Sequence, residues 1–258
     1  MFQFDSAIVR SPARSVVGGL RADERQVPTY PGIVAEHDAY VAALGAAGLD
    51  VEVLPALEAF PDSVFVEDPA LVFAGGAVLL RPGAPSRAGE AGELAPTLKQ
   101  RFDHVVALPA GHVDGGDVLV APGRVYIGLS QRTDALGAWA LATILAQFGR
   151  AATIAPTPPG VLHLKSAAAL IDEETILVTE ALAGSGLFAA MRLLVAPRGE
   201  QQGANVLRLN DAILVGANYP RTIDLLTSRA TNVVPLAVSE VGKLDAGLSC
   251  MSLRWNRG

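Results

Sequence analysis

The stretch EDPALVFAGGAVLL, residues 67–80, holds the pattern that decides the fold of this 258-residue chain. Two acidic residues precede an apolar strand, a glycine-containing turn and a second apolar strand, which together are typical of a β-hairpin. The acidic pair stands at the start of the first strand, so its side chains can face a polar cavity while the strand enters the core. The stretch therefore predicts a β-hairpin that is preceded by two acidic side chains able to take part in binding or catalysis.

The same arrangement recurs four more times along the chain. The leading residues are Asp117 before VLVA and VYIGL, Lys165-Ser166 before AAALI and TILVT, Asn205 before VLRL and AILVG, and Cys250 before MSLRW. Counted from Asp68, they follow one another at intervals of 40 to 49 residues, a period typical of a repeated supersecondary unit.

Five such units around a common centre predict an α/β fold: a closed, five-bladed propeller with pseudo-fivefold symmetry, built from ββαβ-type units. The leading side chains then face one another across a central channel, so that chemically different groups converge on one place. An ordinary open α/β sheet is the alternative that the repeat alone leaves open.

The segments between the hairpins supply the helices and outer strands of this fold. Apolar residues recur at helical spacing over residues 34–47, 136–148 and 222–229. Gly48 and Gly149 stand where the first two helices would end. Strands over residues 51–54 and 104–108 follow helical segments. No low-complexity segment or charge run divides the chain, so residues 1–258 are predicted to form a single domain.

Composition excludes several classes of protein and partner. Half of the residues are hydrophobic and 18% are charged, which excludes a disordered chain or a fibre. The net charge is −6 without a basic cluster, so neither nucleic acid nor a membrane surface is an expected partner.

The apolar stretch 71–80 is half of the roughly 20 residues that a spanning helix needs. The start MFQFDSAIVR lacks the pattern of a signal peptide. With one cysteine and therefore no internal disulfide, a cytoplasmic location is expected.

Cys250 and His163 are the candidates for nucleophilic chemistry. Cys250 lies in GLSCMSLRW, where Asp245, Gly247 and Ser249 make a polar, turn-like approach that suits an accessible thiol. A cysteine hydrolase also needs a histidine that moves a proton to the leaving group, and His163 in GVLHLKS is the best candidate. A buried hydrophobic cysteine and a core histidine are the alternatives for these residues.

Acidic residues surround these two candidates in the predicted channel. Carboxylates from FVEDP and VDGGD can accept the N–H groups of a planar guanidinium cation in pairs. His112, Asp114 and Asp117 could also be interpreted as metal ligands, but no second histidine or cysteine cluster completes such a site. The sequence therefore predicts a small cationic substrate, with no metal and no cofactor.

Six motifs in the same order carry a resemblance to a known family: FVED at 65–68, RPGAPSR at 81–87, VDGGD at 113–117, GLSQRTDALG at 128–137, LHLKS at 162–166 and LSCMSL at 248–253. Together they resemble the dimethylarginine dimethylaminohydrolase (dimethylargininase) family of the guanidino-group-modifying pentein superfamily. The resemblance covers nearly the whole chain. It implies the five-bladed fold described above and a single catalytic domain over residues 1–258.

The resemblance also implies a role for each matched residue. Cys250 corresponds to the nucleophile, His163 to the general acid/base, and Asp114 to the acidic partner that orients the histidine. The implied substrate-binding residues are Glu67 and Asp68 for the guanidinium, Asp62 near the amino group, Arg87 and Arg132 for the α-carboxylate, Leu20 in the lid, and the backbone at Leu244 beside Asp245.

The implied reaction is hydrolysis of asymmetric dimethylarginine or monomethylarginine to citrulline and dimethylamine or methylamine, through a covalent thiouronium on Cys250. Homodimerisation is a further possibility. The sequence departs from the family pattern in two places: Asp114 replaces a longer glutamate found in some relatives, and the lid, residues 11–32, matches loosely. An arginine deiminase-like or citrulline-directed enzyme is the alternative among enzymes, and a non-catalytic pentein binding module is the alternative outside them.

Overall fold

The computed structural model describes residues 2–230 and 232–257, and these contain five three-stranded sheets. Four sheets consist of consecutive strands: β3 (Ala70–Phe73), β4 (Gly76–Leu79) and β5 (Val105–Ala107); β6 (Val118–Ala121), β7 (Arg124–Leu129) and β8 (Ala152–Pro156); β9 (Ala168–Leu170), β10 (Thr175–Val178) and β11 (Arg192–Val195); β12 (Leu207–Leu209), β13 (Ala212–Gly216) and β14 (Val233–Leu236). In each sheet the first pair of strands is antiparallel and the second pair is parallel. The predicted hairpin repeat and five-bladed fold are therefore confirmed.

The fifth sheet joins the two ends of the chain. Strand β1 (Ser6–Arg10) lies between β15 (Leu253–Trp255), with which it is antiparallel, and β2 (Asp50–Leu54), with which it is parallel. Ser6 is opposite Trp255 in this pairing. The N-terminal strand thereby completes the unit that Cys250 begins, and the ring closes.

The leading residues hold neighbouring units together by hydrogen bonds around the ring. A carboxylate oxygen of Asp68 accepts from the Gly116 N–H at 2.8 Å, and one of Asp117 accepts from the Leu164 N–H at 2.9 Å. Asn205 donates to the Lys165 carbonyl and accepts from the Ser249 N–H, both at 3.1 Å. The Cys250 carbonyl accepts from the Glu67 N–H at 3.1 Å. The strand that follows each leading residue is the inner strand of its unit, and the inner strands are β3, β6, β9, β12 and β15. These polar groups thus form the end of the channel where the inner strands begin.

The described part of the chain has five helices, which pack outside the sheets: α1 (Tyr30–Ala46), α2 (Glu90–Arg101), α3 (Ala135–Gln147), α4 (Glu180–Ala183) and α5 (Pro220–Thr227). The predicted helices correspond to α1, α3 and α5 with small shifts. Helix α1 begins four residues earlier than predicted because the Thr29 hydroxyl caps it by accepting from the Gly32 N–H. Helix α2 is the helical segment expected before the strand at residues 104–108, but its bounds were not predicted, since Pro96 lies within it and proline normally interrupts a helix.

The apolar core is divided among the blades. Tyr40, Leu44 and Ile33 from α1 are fully buried against the sheets, as are Leu141 and Leu145 from α3. Packing of this kind fixes the loops that precede each inner strand. Within the described residues, none of the helices combines the length and apolar character that crossing a bilayer requires.

Candidate active site

A cavity of about 200 Å³ lies at the end of the ring where the inner strands begin. Its wall contains nearly every residue that the sequence singled out, although these are spread over the whole chain: Leu20, Asp62, Asp68, Arg87, Asp114, Arg132, His163, Leu244, Asp245 and Cys250. Glu67 is the exception among the residues that the resemblance implied, and the leading residues Asp117, Lys165 and Asn205 also lie outside this wall. The loops meet here because each unit directs the loop before its inner strand toward the same end of the axis.

Cys250 lies in the 3₁₀ turn Leu248–Met251, which leads into β15. The side chain is half-buried and opens into the cavity. Burial, together with the nearby carboxylates of Glu67 and Asp68, raises the pKa of the Cys250 thiol to about 12 against the opposing effect of Lys165. At neutral pH the free protein therefore holds a protonated thiol that needs a further positive charge for activation.

His163 faces Asp114 inside the same cavity. The distance from His163 Nε2 to Asp114 Oδ2 is 3.1 Å, so the shorter aspartate reaches the imidazole. The other oxygen of Asp114 accepts from the Gly83 N–H at 2.7 Å, which fixes the carboxylate. A Cβ atom at Gly116 would lie 2.7 Å from His163 Nδ1, so only glycine fits beside the ring at this position.

Three carboxylates keep His163 protonated despite its burial. Burial lowers the pKa of the imidazole, but the charges of Asp68, Asp117 and Asp114, together with the hydrogen bond to Asp114, more than offset this and raise the pKa to about 9. The site thus contains an imidazolium that can donate a proton at neutral pH, beside a thiol that retains its own.

This charge on His163 should make stability pH-dependent above neutrality. A pKa raised on folding stabilises the protein fully below the unfolded value of about 6.5, and the contribution disappears as the pH rises through about 9. We expect His163→Gln to lower the free energy of unfolding by about 3 kcal/mol at pH 6.5, with a difference that shrinks at pH 10. Urea unfolding of the wild-type protein and the His163→Gln variant between pH 6.5 and pH 10 measures this difference. A difference independent of pH would contradict the ionic origin.

Arg87, predicted to clamp a substrate carboxylate, lines the cavity while its guanidinium is engaged with other groups of the protein. It is 4% exposed and forms ion pairs with Asp68 and, at 2.7 Å, with Glu90. Its guanidinium also donates to the carbonyls of Asp62 and Phe65. The donors are occupied because Arg87 neutralises two buried carboxylates. Burial tends to raise the pKa of Asp68, yet Arg87 and His163 hold it below its ordinary value.

Glu67, the other residue predicted to bind the guanidinium, does not line this cavity. Its carboxylate lies outside the cavity wall and belongs to the channel below, where Lys165 Nζ is 2.6 Å and Arg254 is 3.4 Å away. Ser249 donates to its second oxygen at 3.2 Å. Two cations therefore hold Glu67 away from the cavity, and of the predicted pair only Asp68 lines the cavity that would receive a guanidinium.

Arg132 is available to bind a substrate carboxylate, whereas Arg87 is not. It lines the cavity, and within residues 2–230 and 232–257 no carboxylate lies within ion-pair distance of its guanidinium. Its loop is fixed by Ser130, whose hydroxyl accepts from the Arg132 N–H at 3.0 Å. A buried network holds that loop in turn, because the hydroxyls of Ser130 and Thr133 donate to Asp117 at 2.6 and 2.7 Å.

The lid segment is tied over the cavity by backbone hydrogen bonds. The Leu20 N–H donates to Asp62 at 3.0 Å, and the Ala22 N–H donates to Asp245 at 2.6 Å. Asp245 itself adopts a left-handed conformation, with φ of 54°. Leu244 beside it is buried, and burial raises the pKa of Asp62. These contacts place acidic groups at the rim, where a substrate amino group would approach.

Two acidic residues contribute to the site in ways that the sequence did not predict: Glu90 and Asp117. Glu90 is 2% exposed, and burial raises its pKa to about 7 against the effect of Arg87. The spacing of three residues between Arg87 and Glu90 is the signal that could have indicated their ion pair. Asp117 was recognised as a leading residue and as a possible metal ligand, whereas in the structure it supports both the Arg132 loop and the Leu164 backbone.

The alternative metal interpretation of His112, Asp114 and Asp117 is not supported by the geometry. His112 is exposed and pairs with Asp134 at 3.1 Å, and it does not line the cavity. Asp68, Asp114 and His163 do offer ligand atoms within 4.8 Å of one another. Each of these three already has a protein partner: Arg87, the Gly83 N–H and Asp114, respectively.

Comparison with known proteins identifies related families and sequences. The sequence model of the arginine deiminase family matches residues 56–196. The chain is 36% identical to an N(G),N(G)-dimethylarginine dimethylaminohydrolase of Pseudomonas aeruginosa, covering 98% of this chain and all of the relative. It is 35% identical to the corresponding protein of Streptomyces coelicolor, over 96% of each chain.

Solved structures extend the similarity to three dimensions. A cysteine-to-serine mutant of the Pseudomonas aeruginosa enzyme, in complex with citrulline, superposes with a TM-score of 0.95 at 35% identity, covering 98% of this chain and all of that one. The N-terminal domain of a cyanobacterial arginine dihydrolase shares the fold, with a TM-score of 0.85 at 15% identity over 96% of this chain and 97% of that one. From the full-length identity, the shared five-bladed fold and the convergence of the matched motifs, the chain belongs to the dimethylarginine dimethylaminohydrolase family of the pentein superfamily.

Proposed function

We propose that residues 1–258 act as one catalytic domain that hydrolyses Nω-methylated arginine to citrulline and dimethylamine or methylamine. The observation that carries the proposal is the meeting of Cys250 and the His163–Asp114 pair in one cavity beside the Asp68 carboxylate. A thiol, a protonated imidazole and an acidic wall suit attack on a cationic carbon that bears an amine leaving group.

The first stage forms a covalent intermediate. Because His163 is already protonated below about pH 9, the thiol proton leaves to solvent when the cationic guanidinium binds beside Asp68 and stabilises the thiolate. The thiolate of Cys250 forms a C–S bond with the guanidinium carbon. The C–N bond to dimethylamine then breaks as His163 donates its proton to the departing nitrogen, and a thiouronium remains on Cys250.

The second stage releases the product. Neutral His163 removes a proton from a water molecule, whose oxygen adds to the thiouronium carbon. Collapse of this adduct breaks the C–S bond, yielding citrulline and regenerating the thiolate, while the remaining hydroxyl proton is lost to solvent. His163 is again protonated, so both proton transfers use one imidazole that Asp114 holds in position. No step requires a cofactor.

Incubation with separate substrates tests the activity directly. Purified protein is given asymmetric dimethylarginine, monomethylarginine, arginine, agmatine or citrulline, and citrulline and amine are measured by mass spectrometry. We expect citrulline with dimethylamine from the first substrate. Turnover of arginine alone would indicate an arginine deiminase-like enzyme, the alternative that the match to that family model favours. No turnover of any compound would favour a binding module.

Arg132 is expected to bind the substrate carboxylate. Arg132→Gln should raise KM for dimethylarginine about 10- to 100-fold with little change in kcat, because a charge-assisted hydrogen bond present in both ground and transition states is lost. Competitive inhibition by agmatine, which lacks the carboxylate, provides the control, and its inhibition constant should be the same in both proteins. An unchanged KM for dimethylarginine would remove Arg132 from the substrate site.

The thiol should react slowly in the free protein. With the pKa of Cys250 near 12, iodoacetamide labelling should accelerate about tenfold per pH unit between pH 7 and 10 without a plateau. Mass spectrometry of the labelled protein gives the rates. A plateau near neutral pH would show that the thiolate forms without substrate. Protection by a guanidino ligand is also expected for an enzyme and not for a binding module.

We further expect the methylated arginine substrate to be the main binding partner of the protein, and we expect it to bind neither nucleic acid nor membranes. A cytoplasmic location and a homodimer stay predictions from the sequence. Mass measurement in solution would test the homodimer.

A further inference from the structure

A second cavity, of about 470 Å³, occupies the opposite end of the ring from the catalytic cavity. Its walls come from the inner strands β3, β6, β9, β12 and β15, whereas the catalytic cavity is lined by the loops that precede those strands. The two cavities have no lining residue in common. The ion pair of Glu67 with Lys165 and Arg254 lies in the wall of the second cavity.

The second cavity concentrates positive charge in a chain whose net charge is −6. Its charged lining residues are one carboxylate, Glu67, and four cations: Arg150, Lys165, Arg208 and Arg254. Lys165 and Arg254 are both paired with Glu67. This lining therefore has an excess of cations, and two of them are not neutralised by the Glu67 ion pair.

Those two cations are Arg150 and Arg208, which lie against aromatic rings. The Arg150 guanidinium is 4.7 Å from the centroid of Phe73, and that of Arg208 is 5.9 Å from the centroid of Phe2. Within the described part of the chain, neither arginine has a carboxylate partner at ion-pair distance. Arg208 Nε is buried without a hydrogen-bond partner, so part of the donor capacity of this guanidinium is left unused by the protein.

The remaining walls are apolar. Trp255 and the alanine and leucine side chains of the inner strands face this space, together with Phe4. A concave apolar site with a few convergent polar groups is the usual form of a small-molecule site. Arginine donors select carboxylate-like acceptors, and aromatic walls select a flat apolar body.

We propose that this second cavity is a binding site for a small aromatic carboxylate, with the anion held by Arg208 and Arg150 and the ring packed against Phe73 and Trp255. The site is separate from the catalytic cavity and does not depend on the reaction proposed there. Its ligand differs from an arginine-like substrate, because the guanidinium end of such a substrate would be repelled by the excess of cations.

Tryptophan fluorescence offers a local measurement of binding. The chain has two tryptophans: Trp255 in the cavity wall and Trp139, which is 67% exposed on α3. In a Trp139→Phe background the emission therefore reports on Trp255. Benzoate is the probe and benzamide, its neutral isostere, is the control. We expect a saturable change with benzoate at millimolar concentration and binding at least about tenfold weaker with benzamide.

Variants locate the bound anion. Arg208→Gln and Arg150→Gln should each weaken benzoate binding about tenfold, the loss expected for one charge-assisted hydrogen bond. Arg229→Gln, at an exposed site outside both cavities, is the matched control and should leave binding unchanged. Arg132→Gln tests whether benzoate enters the catalytic cavity instead. Isothermal titration calorimetry on the same proteins detects binding that leaves the fluorescence unaltered.

Three results would overturn the proposal. The first is benzoate binding that weakens with Arg132→Gln and not with Arg208→Gln, which would place the anion in the catalytic cavity. The second is equal affinity for benzoate and benzamide, which would remove the role of charge. The third is the absence of both heat and a fluorescence change at millimolar benzoate. Loss of the proposed hydrolase activity, by contrast, would leave benzoate binding unaffected.

Discussion

Cys250→Ser should reduce citrulline formation from dimethylarginine by at least about four orders of magnitude, while the protein still binds the substrate. A serine hydroxyl occupies the same turn, Leu248–Met251, but its oxygen remains protonated beside the carboxylate of Asp68. The imidazole cannot activate it, since His163 already carries a proton at neutral pH. Nucleophilic attack is therefore lost, whereas the groups that hold the substrate stay in place.

Two measurements distinguish this loss of chemistry from a loss of binding. Single-turnover experiments by mass spectrometry should show no covalent adduct on the variant, and calorimetry should give a dissociation constant close to the wild-type KM. Ser228→Ala is the control, because Ser228 is exposed at the end of α5 and its hydroxyl donates to the Leu225 carbonyl, outside the cavity. Retained turnover in Cys250→Ser would disprove the proposed mechanism, and loss of binding would show that the cavity itself had changed.

Arg87→Met should have the largest effect on stability, lowering the free energy of unfolding by about 3–5 kcal/mol. The side chain is buried between Asp68 and Glu90, and methionine would fill its volume without its charge. Two buried carboxylates would then lose their counter-ion, and burial of an unpaired charge is strongly unfavourable. Urea unfolding at pH 7.5 measures the change.

The contact between Arg87 and Glu90 also predicts how the loss of stability in Arg87→Met varies with pH. Burial already raises the pKa of Glu90 to about 7, and removal of Arg87 should raise it further, so Glu90 would be protonated and neutral at pH 5.5. The destabilisation by Arg87→Met should therefore decrease at that pH. Arg101→Met removes an exposed ion pair with Glu52 and should cost less than about 1 kcal/mol. If Arg87→Met changed KM alone, Arg87 would be the carboxylate clamp that the family resemblance implied.

Local pattern was sufficient to predict the repeated units. The hairpins were evident because each unit alternates apolar strands with short polar turns, and such turns are local in sequence. The polar residues before the inner strands identified one end of the channel, and hence Asp68, His163 and Cys250. The bounds of helix α2 escaped prediction because the penalty of Pro96 is local, whereas the packing of Leu94 and Leu98 that stabilises the helix is tertiary.

The direction of individual charged side chains could not be predicted in this way. Glu67 and Asp68 are neighbours in sequence, yet Lys165 and Arg254 bind the first while Arg87 binds the second. Likewise, Arg87 and Arg132 matched the same implied role, and only Arg132 lacks a carboxylate partner among the described residues. Each outcome depends on ion pairs between residues far apart in the chain.

By itself, the sequence determined the five units, their order and the chemical groups that begin them, because periodicity and turn residues act over a few positions. The tertiary structure alone decided that β1 enters between β15 and β2 to close the ring. It also decided which carboxylates face the substrate cavity and which neutralise buried cations. Closure and charge pairing are decided by contacts between distant parts of the chain, and hydrophobic periodicity carries no record of such contacts.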